Sequence, residues 1–355
     1  MDSLLTSFDS WLAGNGPAAL VVREHLMPVE GSDGVLFPAT FAAGDGFEGG
    51  YNIDRFPDGR SVCLIDSVGS QANRIEPLFA QDGYADLTPQ IVIKAGEKRV
   101  NLLEAGHRAG DAIVRCTALR DDLRAAFKAV QTGDAEPLAK LAPTSIVFGV
   151  WDSRDTQAKL PRLIVSTIRA FNVRALTRSA QYVPAAEYVA DGLLPEPADK
   201  TTKDAYAVRG FIHVPAAGSH GGVIADGGIQ RDAALHLAGL RLLNGGANAQ
   251  ALRRYILGLA LTAFTYPAGG YLRQGCHLVM NPDKAREFQA VYGDGRREDA
   301  TVTHDAAVAY ARAAAKGFGP GHGREVEFDK ELAQKDVSGD AGGSAEKRKG
   351  KPAKK

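Results

Sequence analysis

The sequence predicts an α+β protein in which strands and helices mix without a steady alternation. Three observations carry that expectation. Short apolar runs such as Ser61-Val-Cys-Leu-Ile65 have strand length and are bounded by turn residues. Longer stretches such as the one carrying Leu119, Leu123, Phe127 and Val130 repeat at a helical period. No regular strand-helix order joins them, which argues against a doubly wound sheet.

In chain order, residues 18–28 read as a strand ending at Pro28, and residues 30–52 as a long glycine-rich loop. Ser61 to Ile65 is a buried strand. Asp66 or Ser67 then caps a helix running to about Gln81, with Val68, Ala72, Ile75 and Phe79 on one face and Ser67, Gln71 and Arg74 on another. Residues 90–103 alternate around Gly96 as a hairpin, and the helix begun near Leu119 stops near Gly133. Residues 146–151 read as a buried strand, and the β-branched stretch 162–176 fits either a strand or a helix. The pattern fails over 177–206, where Pro184, Pro195 and Pro197 mark an excursion from the body. It resumes with a strand at 208–214, a glycine-rich loop at 216–228, and helices at 230–243 and 248–264. A strand at 271–280, a helix at 303–316 and a strand at 324–328 close the ordered part. Beyond Asp329 the composition predicts a disordered tail.

The 355 residues are 45% hydrophobic, enough to build a substantial core in one large domain or two ordinary ones. No apolar run reaches the roughly eighteen residues a membrane helix needs, and the N-terminus carries Asp2 and Asp9 where a signal peptide has a basic region. Neither export nor membrane insertion is expected. Cys63, Cys116 and Cys276 are far apart and odd in number, which suggests neither a disulfide framework nor a zinc site, so a reducing cytoplasm is the expected compartment.

Lys and Arg total 42, as do Asp and Glu. Six of the basic residues, Lys347, Arg348, Lys349, Lys351, Lys354 and Lys355, lie in the tail against Glu346, leaving the rest net acidic. Total charge therefore does not nominate a nucleic-acid binder. A basic groove is still compatible with it, because phosphate affinity depends on how charge is arranged on a face.

Gly44-x-Gly46-x-x-Gly49 matches the dinucleotide fingerprint in spelling, yet it is followed by Tyr51-Asn-Ile-Asp-Arg-Phe-Pro57 rather than by a helix, and it reads as a flexible loop. The P-loop, serine-hydrolase and zincin signatures are absent from the sequence. The eight histidines show no metal-ligand spacing. Neither a cofactor nor a metal ion is expected. His220, in a glycine-rich stretch, is either a contact to phosphate or base or an exposed loop side chain.

Two segments carry more. Leu64-Ile-Asp-Ser-Val-Gly-Ser-Gln-Ala-Asn-Arg-Ile-Glu76 and Phe148-Gly-Val-Trp-Asp-Ser-Arg-Asp-Thr-Gln-Ala-Lys-Leu-Pro-Arg162 each place amides, hydroxyls and arginines directly after a buried strand. Backbone N–H groups and polar side chains at such ends hold phosphates or sugar hydroxyls. Neither segment supplies a nucleophile with an adjacent base. The alternative is internal pairing, of Asp66, Arg74 and Glu76 in the first and of Asp152 with Arg154 in the second.

With Pro28-Val-Glu-Gly-Ser-Asp-Gly34 and Ala175-Leu-Thr-Arg-Ser-Ala-Gln-Tyr182, these segments make the chain resemble the RAMP-superfamily backbone protein of the type I-G (formerly I-U) CRISPR Cascade, from about Val21 to Phe318. The glycine-rich turn at 317–323 is similar to the RAMP glycine loop. The resemblance implies a modified RRM-like palm over residues 1–330 with inserted finger and thumb elements. Residues 177–206 would be the thumb, and residues 331–355 a disordered basic tail. It also implies a protein without enzymatic activity whose copies stack along CRISPR RNA beside other Cascade subunits, leaving guide bases to pair with target DNA. Such a protein needs phosphate, sugar and shape contacts more than base-edge readout. The residues expected in its groove are Ser67, Gln71, Asn73, Arg74, Arg154, Gln157 and Lys159, with Arg178 and Tyr182 on the thumb and His220 near it. Tyr182 would stack on a base or pack within the protein.

Two other functions remain open on the residues. Related type III backbone subunits cleave target RNA with a loop aspartate, and Asp33 is the residue to suspect, its plain reading being a turn aspartate beside glycine. A stand-alone enzyme using the glycine-rich loops for a small anion is the third.

Overall fold

The computed structural model describes residues 2–267 and 269–348. Its centre is an antiparallel sheet built outward from β1 (Ala19–Pro28), where Leu20 and Val22 are fully buried and Arg23 is exposed. The chain continues through β2 (Ser61–Asp66), α1 (Val68–Ile75), β3 (Ile164–Phe171), β4 (Val173–Tyr182), α2 (Lys200–Val208), β5 (Val214–Ala225) and β6 (Ile229–His236). It ends with α3 (Ala249–Thr265), β7 (Tyr271–Arg273), β8 (Cys276–Met280), β9 (Glu287–Val291) and α4 (His304–Phe318). Neighbouring strands run in the order β7-β8-β1-β6-β3-β2, and each of these pairs is antiparallel. Strand β9 shares the edge of β1 with β8, taking Ala19 to Arg23 while β8 takes Leu26 to Pro28.

The register sets what each face carries. Leu20 lies opposite Leu235, Leu235 opposite Ile164, and Val22 opposite Ala233, so these side chains form one apolar row. Leu252, Ile256, Leu259 and Ala263 of α3 join the same cluster. Fully burying a leucine or isoleucine contributes about 1.5–3 kcal/mol relative to exposure. Helix α4 then packs on α3 at a close crossing, because a Cβ on Gly258 would stand 2.7 Å from the Cα of Ala311. Thr303 caps α4 by accepting from the Ala306 N–H at 3.2 Å. The first residue of α4, His304, bridges its neighbours through Tyr84 Oη (2.8 Å) and Thr265 Oγ1 (3.1 Å).

Between β3 and β6 the chain leaves the body as a two-stranded arm. Asn172, at φ 47°, turns it into β4, which pairs with β5 from Val173↔Ala225 to Tyr182↔Val214. Helix α2 lies in the connection, capped by Asp199 accepting from the Thr202 N–H at 2.7 Å, and none of its residues is buried. The excursion expected over 177–206 lies within this arm, whose strands extend beyond it at both ends.

Several local expectations differ from the fold. Residues 214–225, read partly as a strand end and partly as a glycine-rich loop, form β5. Gly221 and Gly222 answer to crowding, since a Cβ on Gly221 would meet the Thr177 carbonyl carbon at 2.7 Å and one on Gly222 would meet Val35 Cγ1 at 2.5 Å. Residues 230–236, read as helix, belong to β6, and only the short helix Leu237–Arg241 follows. Ala233, Leu237 and Leu240 mimic a helical period there, while the actual ladder buries Ile229, Ala233 and Leu235. Residues 144–147 form a helical turn rather than a strand, and strand geometry is confined to Val150–Trp151. The single strand expected over 271–280 is the hairpin β7–β8, folded at Gly275 with φ 72°.

Composition predicts disorder after Asp329, but the described residues form a helix, Lys330–Arg348. Two arginines of the body anchor it, Asp336 accepting from Arg115 at 2.9 Å and from Arg120 at 3.1 Å. Lys349, Lys351, Lys354 and Lys355 of the expected basic tail lie outside the described residues. No helix among the described residues is long and apolar enough to cross a membrane.

Candidate nucleic-acid interface

The first strand-end segment builds one wall of a groove. Ser67, extended at φ −80°, caps α1 by accepting from the Ser70 N–H at 3.2 Å, so the helix starts one residue after the buried strand ends. Asp66, 2% exposed, accepts from Gln71 Nε2 (2.6 Å), Arg74 Nε (3.2 Å) and Arg273 Nη2 (3.4 Å). Gln71 is buried as well, and its carbonyl accepts from the Ser166 hydroxyl at 3.0 Å. The helical face expected to meet a ligand is therefore divided. Gln71 ties α1 to β3, while Arg74 and Asn73 remain exposed and Ser67 is half-buried.

Arg74 opens onto a groove of about 710 Å³. Its floor is Glu24, Leu26, Ile168 and Arg231 of the sheet, and its far side is the end of α3 and the β7–β8 hairpin, with Tyr266, Tyr271, Met280 and Arg286. Arg231 Nε donates to Glu24 Oε2 at 2.5 Å, and Arg286 Nε lies 2.9 Å from Glu24 Oε1. Glu24 is thus shared by two guanidinium groups, and Asp66 by Arg74 and Arg273. Of these groups Glu24, Arg74, Arg231 and Arg286 line the groove, and one carboxylate against three guanidinium groups leaves it electropositive, a field its sheltered wall strengthens. Arg231, Arg286 and Tyr271 belong to no local motif. Only the register, which sets Glu24 opposite Arg231, brings them in.

The second segment forms a tight hairpin turn beside the first. Trp151 pairs with Lys159, and between them Asp152, 3% exposed, accepts from the Thr156 N–H (2.8 Å) and hydroxyl (2.6 Å). Gln157 takes φ 63° and folds its amide back onto the Ser153 carbonyl at 2.7 Å. Arg154 and Lys159 are exposed, and Arg154 makes no ion pair among the described residues. The two segments meet through Arg108. Its Nε lies 2.6 Å from Glu76 Oε2, its Nη1 donates to the Gly149 carbonyl at 3.3 Å, and its guanidinium lies over the Phe148 ring. Burial pushes the Glu76 carboxyl up to about 7, and Arg108 offsets part of that rise. Internal pairing is thus realised for Asp66 with Arg74, takes Arg108 as the partner of Glu76, and does not join Asp152 to Arg154.

Arg178, Tyr182 and His220 sit on the arm, away from this junction. Arg178 lies over the Phe37 ring, 5.7 Å from its centroid. The Tyr182 ring, 51% exposed, packs over Gly210, and His220 lies against Tyr51 and Gly50, where a Cβ would come within 2.4 Å of its ring. Asp33 is exposed in the loop after β1 and lines a separate cavity of about 300 Å³ with Ser32, Asn281, Arg174 and Asp226, the last two joined by a two-point ion pair. The Gly44 to Gly49 loop closes by mutual backbone bonds between Gly44 and Phe47 and leads into a two-residue strand, Gly50–Tyr51, not a helix. No group of three or more His, Cys, Asp or Glu among the described residues is arranged to hold a metal ion.

Residues 20–175 match the sequence profile of a family described as CRISPR-associated protein GSU0053. No curated protein matches the chain. One chain of a structure described as a CRISPR RNA-guided surveillance complex, pre-nicking, is similar at 12% identity, with 91% of this chain and 99% of that chain covered and a TM-score of 0.33. At that score the likeness bears on neither fold nor function. The profile match spans β1 to the start of β4 and takes in both strand-end segments, and over that span the chain is similar to this CRISPR-associated family.

Proposed function

We propose that this chain is a non-catalytic, RNA-binding backbone subunit of a cytoplasmic type I-G Cascade, its copies lying along a guide RNA so that base pairing reads the DNA target. One observation carries the reading: the electropositive groove where Arg74, Arg231 and Arg286 converge beside the last turn of α1. A groove of guanidinium groups takes phosphates of any sequence, which is what a subunit that delegates sequence reading requires. The order β8-β1-β6-β3, with helices in the connections from β1 to β3 and from β6 to β8, is a βαββαβ arrangement and supports an RRM-like palm. The arm leaves between β3 and β6 and holds the residues read as a thumb.

The test is RNA binding by the full chain as a function of salt, for several unrelated single-stranded guides. Neutralising Arg74, Arg154 and Lys159 together should weaken all guides alike, and the logarithmic salt slope should flatten by about 0.7 for every phosphate no longer held. A loss confined to one guide, or a protein that binds no RNA at all, would overturn the reading.

A second reading, an endoribonuclease acting through Asp33, is favoured by the placement of Asp33 in a cavity with Arg174 and Asp226. It requires that purified complex cleave bound target RNA and that Asp33→Ala abolish the cleavage. The non-catalytic reading expects intact RNA with either protein.

A further inference from the structure

We propose that Trp151 is a stacking platform for one base of the bound strand, with Lys159 and Arg154 engaging the phosphates on either side. The inference rests on the RNA-binding reading above and adds to it a base contact that the groove itself does not supply.

The indole is 56% exposed, although tryptophan is among the most heavily buried residue types on average. The other tryptophan, Trp11, is half-buried and stacked on Phe8 at 4.8 Å. Exposure of Trp151 does not follow from a loose loop. The turn behind it is held by the buried Asp152 carboxylate, by the left-handed backbone at Gln157, and by the Arg108 bond to the Gly149 carbonyl. On the inner side, a Cβ on Gly149 would come 2.7 Å from Arg162 Cγ, so the hairpin sits tightly on the body. A rigid hairpin therefore presents a large flat ring to solvent, and a ring already ordered loses little entropy when it is covered.

The surroundings of the ring select the partner. Lys159 stands across the ladder from Trp151 with Nζ 5.5 Å from the ring centroid, and Arg154 projects from the same turn without a carboxylate partner among the described residues. Asp152 is turned inward and Asp155 is held by Arg124 at 3.3 Å, so neither opposes an anion at the ring. An aromatic face flanked by unopposed cations is the chemistry of single-strand nucleic-acid binders, in which stacking tolerates every base and the cations follow the backbone. A protein partner with an acidic, apolar surface is the competing occupant.

The test uses the full chain, stripped of nucleic acid at high salt, in a Trp11→Phe background so that Trp151 is the sole tryptophan. Short single-stranded RNA and an abasic strand of equal length are titrated in, with binding followed separately by a label on the strand and folding checked by thermal denaturation. The RNA should quench the tryptophan emission and the abasic strand should bind without quenching it. Trp151→Ala should weaken RNA binding about ten-fold and Trp151→Phe much less, as expected of base stacking. RNA that binds without quenching, or with undiminished affinity for Trp151→Ala, overturns this inference while leaving RNA binding intact. A Trp151→Ala variant that changes the oligomeric state of the RNA-free protein but not its RNA affinity assigns the ring to a protein contact and also overturns it. Failure of every strand to bind the parent protein removes the RNA-binding reading itself.

Discussion

Glu24 and Arg231 are 207 residues apart in the chain and face one another across the β1–β6 ladder, with Arg231 Nε 2.5 Å from Glu24 Oε2. Both side chains are largely buried, and Arg286 is the second partner of Glu24. Arg231→Met should cost about 2 kcal/mol in urea denaturation, less than the 3–5 kcal/mol for a fully buried pair because Arg286 still compensates the carboxylate. Glu24→Gln should act in the other direction on binding. It takes a negative charge from the groove floor, and RNA affinity at low salt should rise several-fold. Unchanged affinity in Glu24→Gln would separate the groove from the RNA.

Gln71 distinguishes a residue that holds the site from one that touches the ligand. Its amide joins Asp66 to Ser166 in a closed polar cluster. Gln71→Leu leaves both without that partner and should cost about 1–3 kcal/mol of stability. The salt slope of RNA binding should stay at the parent value, whereas Arg74→Gln should lower it.

His304 gives the fold an acid sensitivity. Burial pushes its imidazole pKa down, with Asp305 offsetting part of the effect, so the folded state disfavours the imidazolium. The unfolded chain then takes up the proton first as pH falls. The contribution is complete at neutral pH and is lost as pH falls through the ordinary histidine range, about 6.5. The thermal midpoint should therefore drop between pH 7.5 and 5.5, and His304→Gln should drop less.

The C-terminal helix separates an anchor from an appendage. Asp336 accepts from Arg115 and Arg120, and all three are partly buried. Asp336→Ala should lower stability by about 1 kcal/mol. Deleting residues 343–355 spares that anchor, and the shortened protein should keep its melting temperature and its sedimentation with RNA.

Legibility follows the range of the forces. The Ser67 cap, the Gly96 hairpin and the helical period from Leu119 to Val130 are written within a few residues of themselves and are readable there. Strand β5 is not, because its glycines signal a loop in isolation and become intelligible only once β4 lies against them at Thr177. Ala233, Leu237 and Leu240 give β6 a helical look that the ladder with β1 and β3 overrules. The same limit shapes the candidate site. Helical spacing puts Arg74 on an exposed face, where it is found, but it misplaces Gln71, since nothing near that residue in sequence announces Ser166. Arg231, Arg286 and Tyr271 converge on Arg74 through strand pairing alone. Trp151 reads as the inside of a strand, and its exposure follows from a ladder only two residues long on each side.

Arg108 gives the two recognisable stretches of this protein a shared fate. A single guanidinium, carried on a left-handed backbone at φ 53°, reaches Glu76 at the close of one and Gly149 at the opening of the other. Neither stretch is a portable cassette. Transplanted alone into another scaffold it would arrive with half of its clasp missing, and a change at position 108, outside both, would unsettle the pair together.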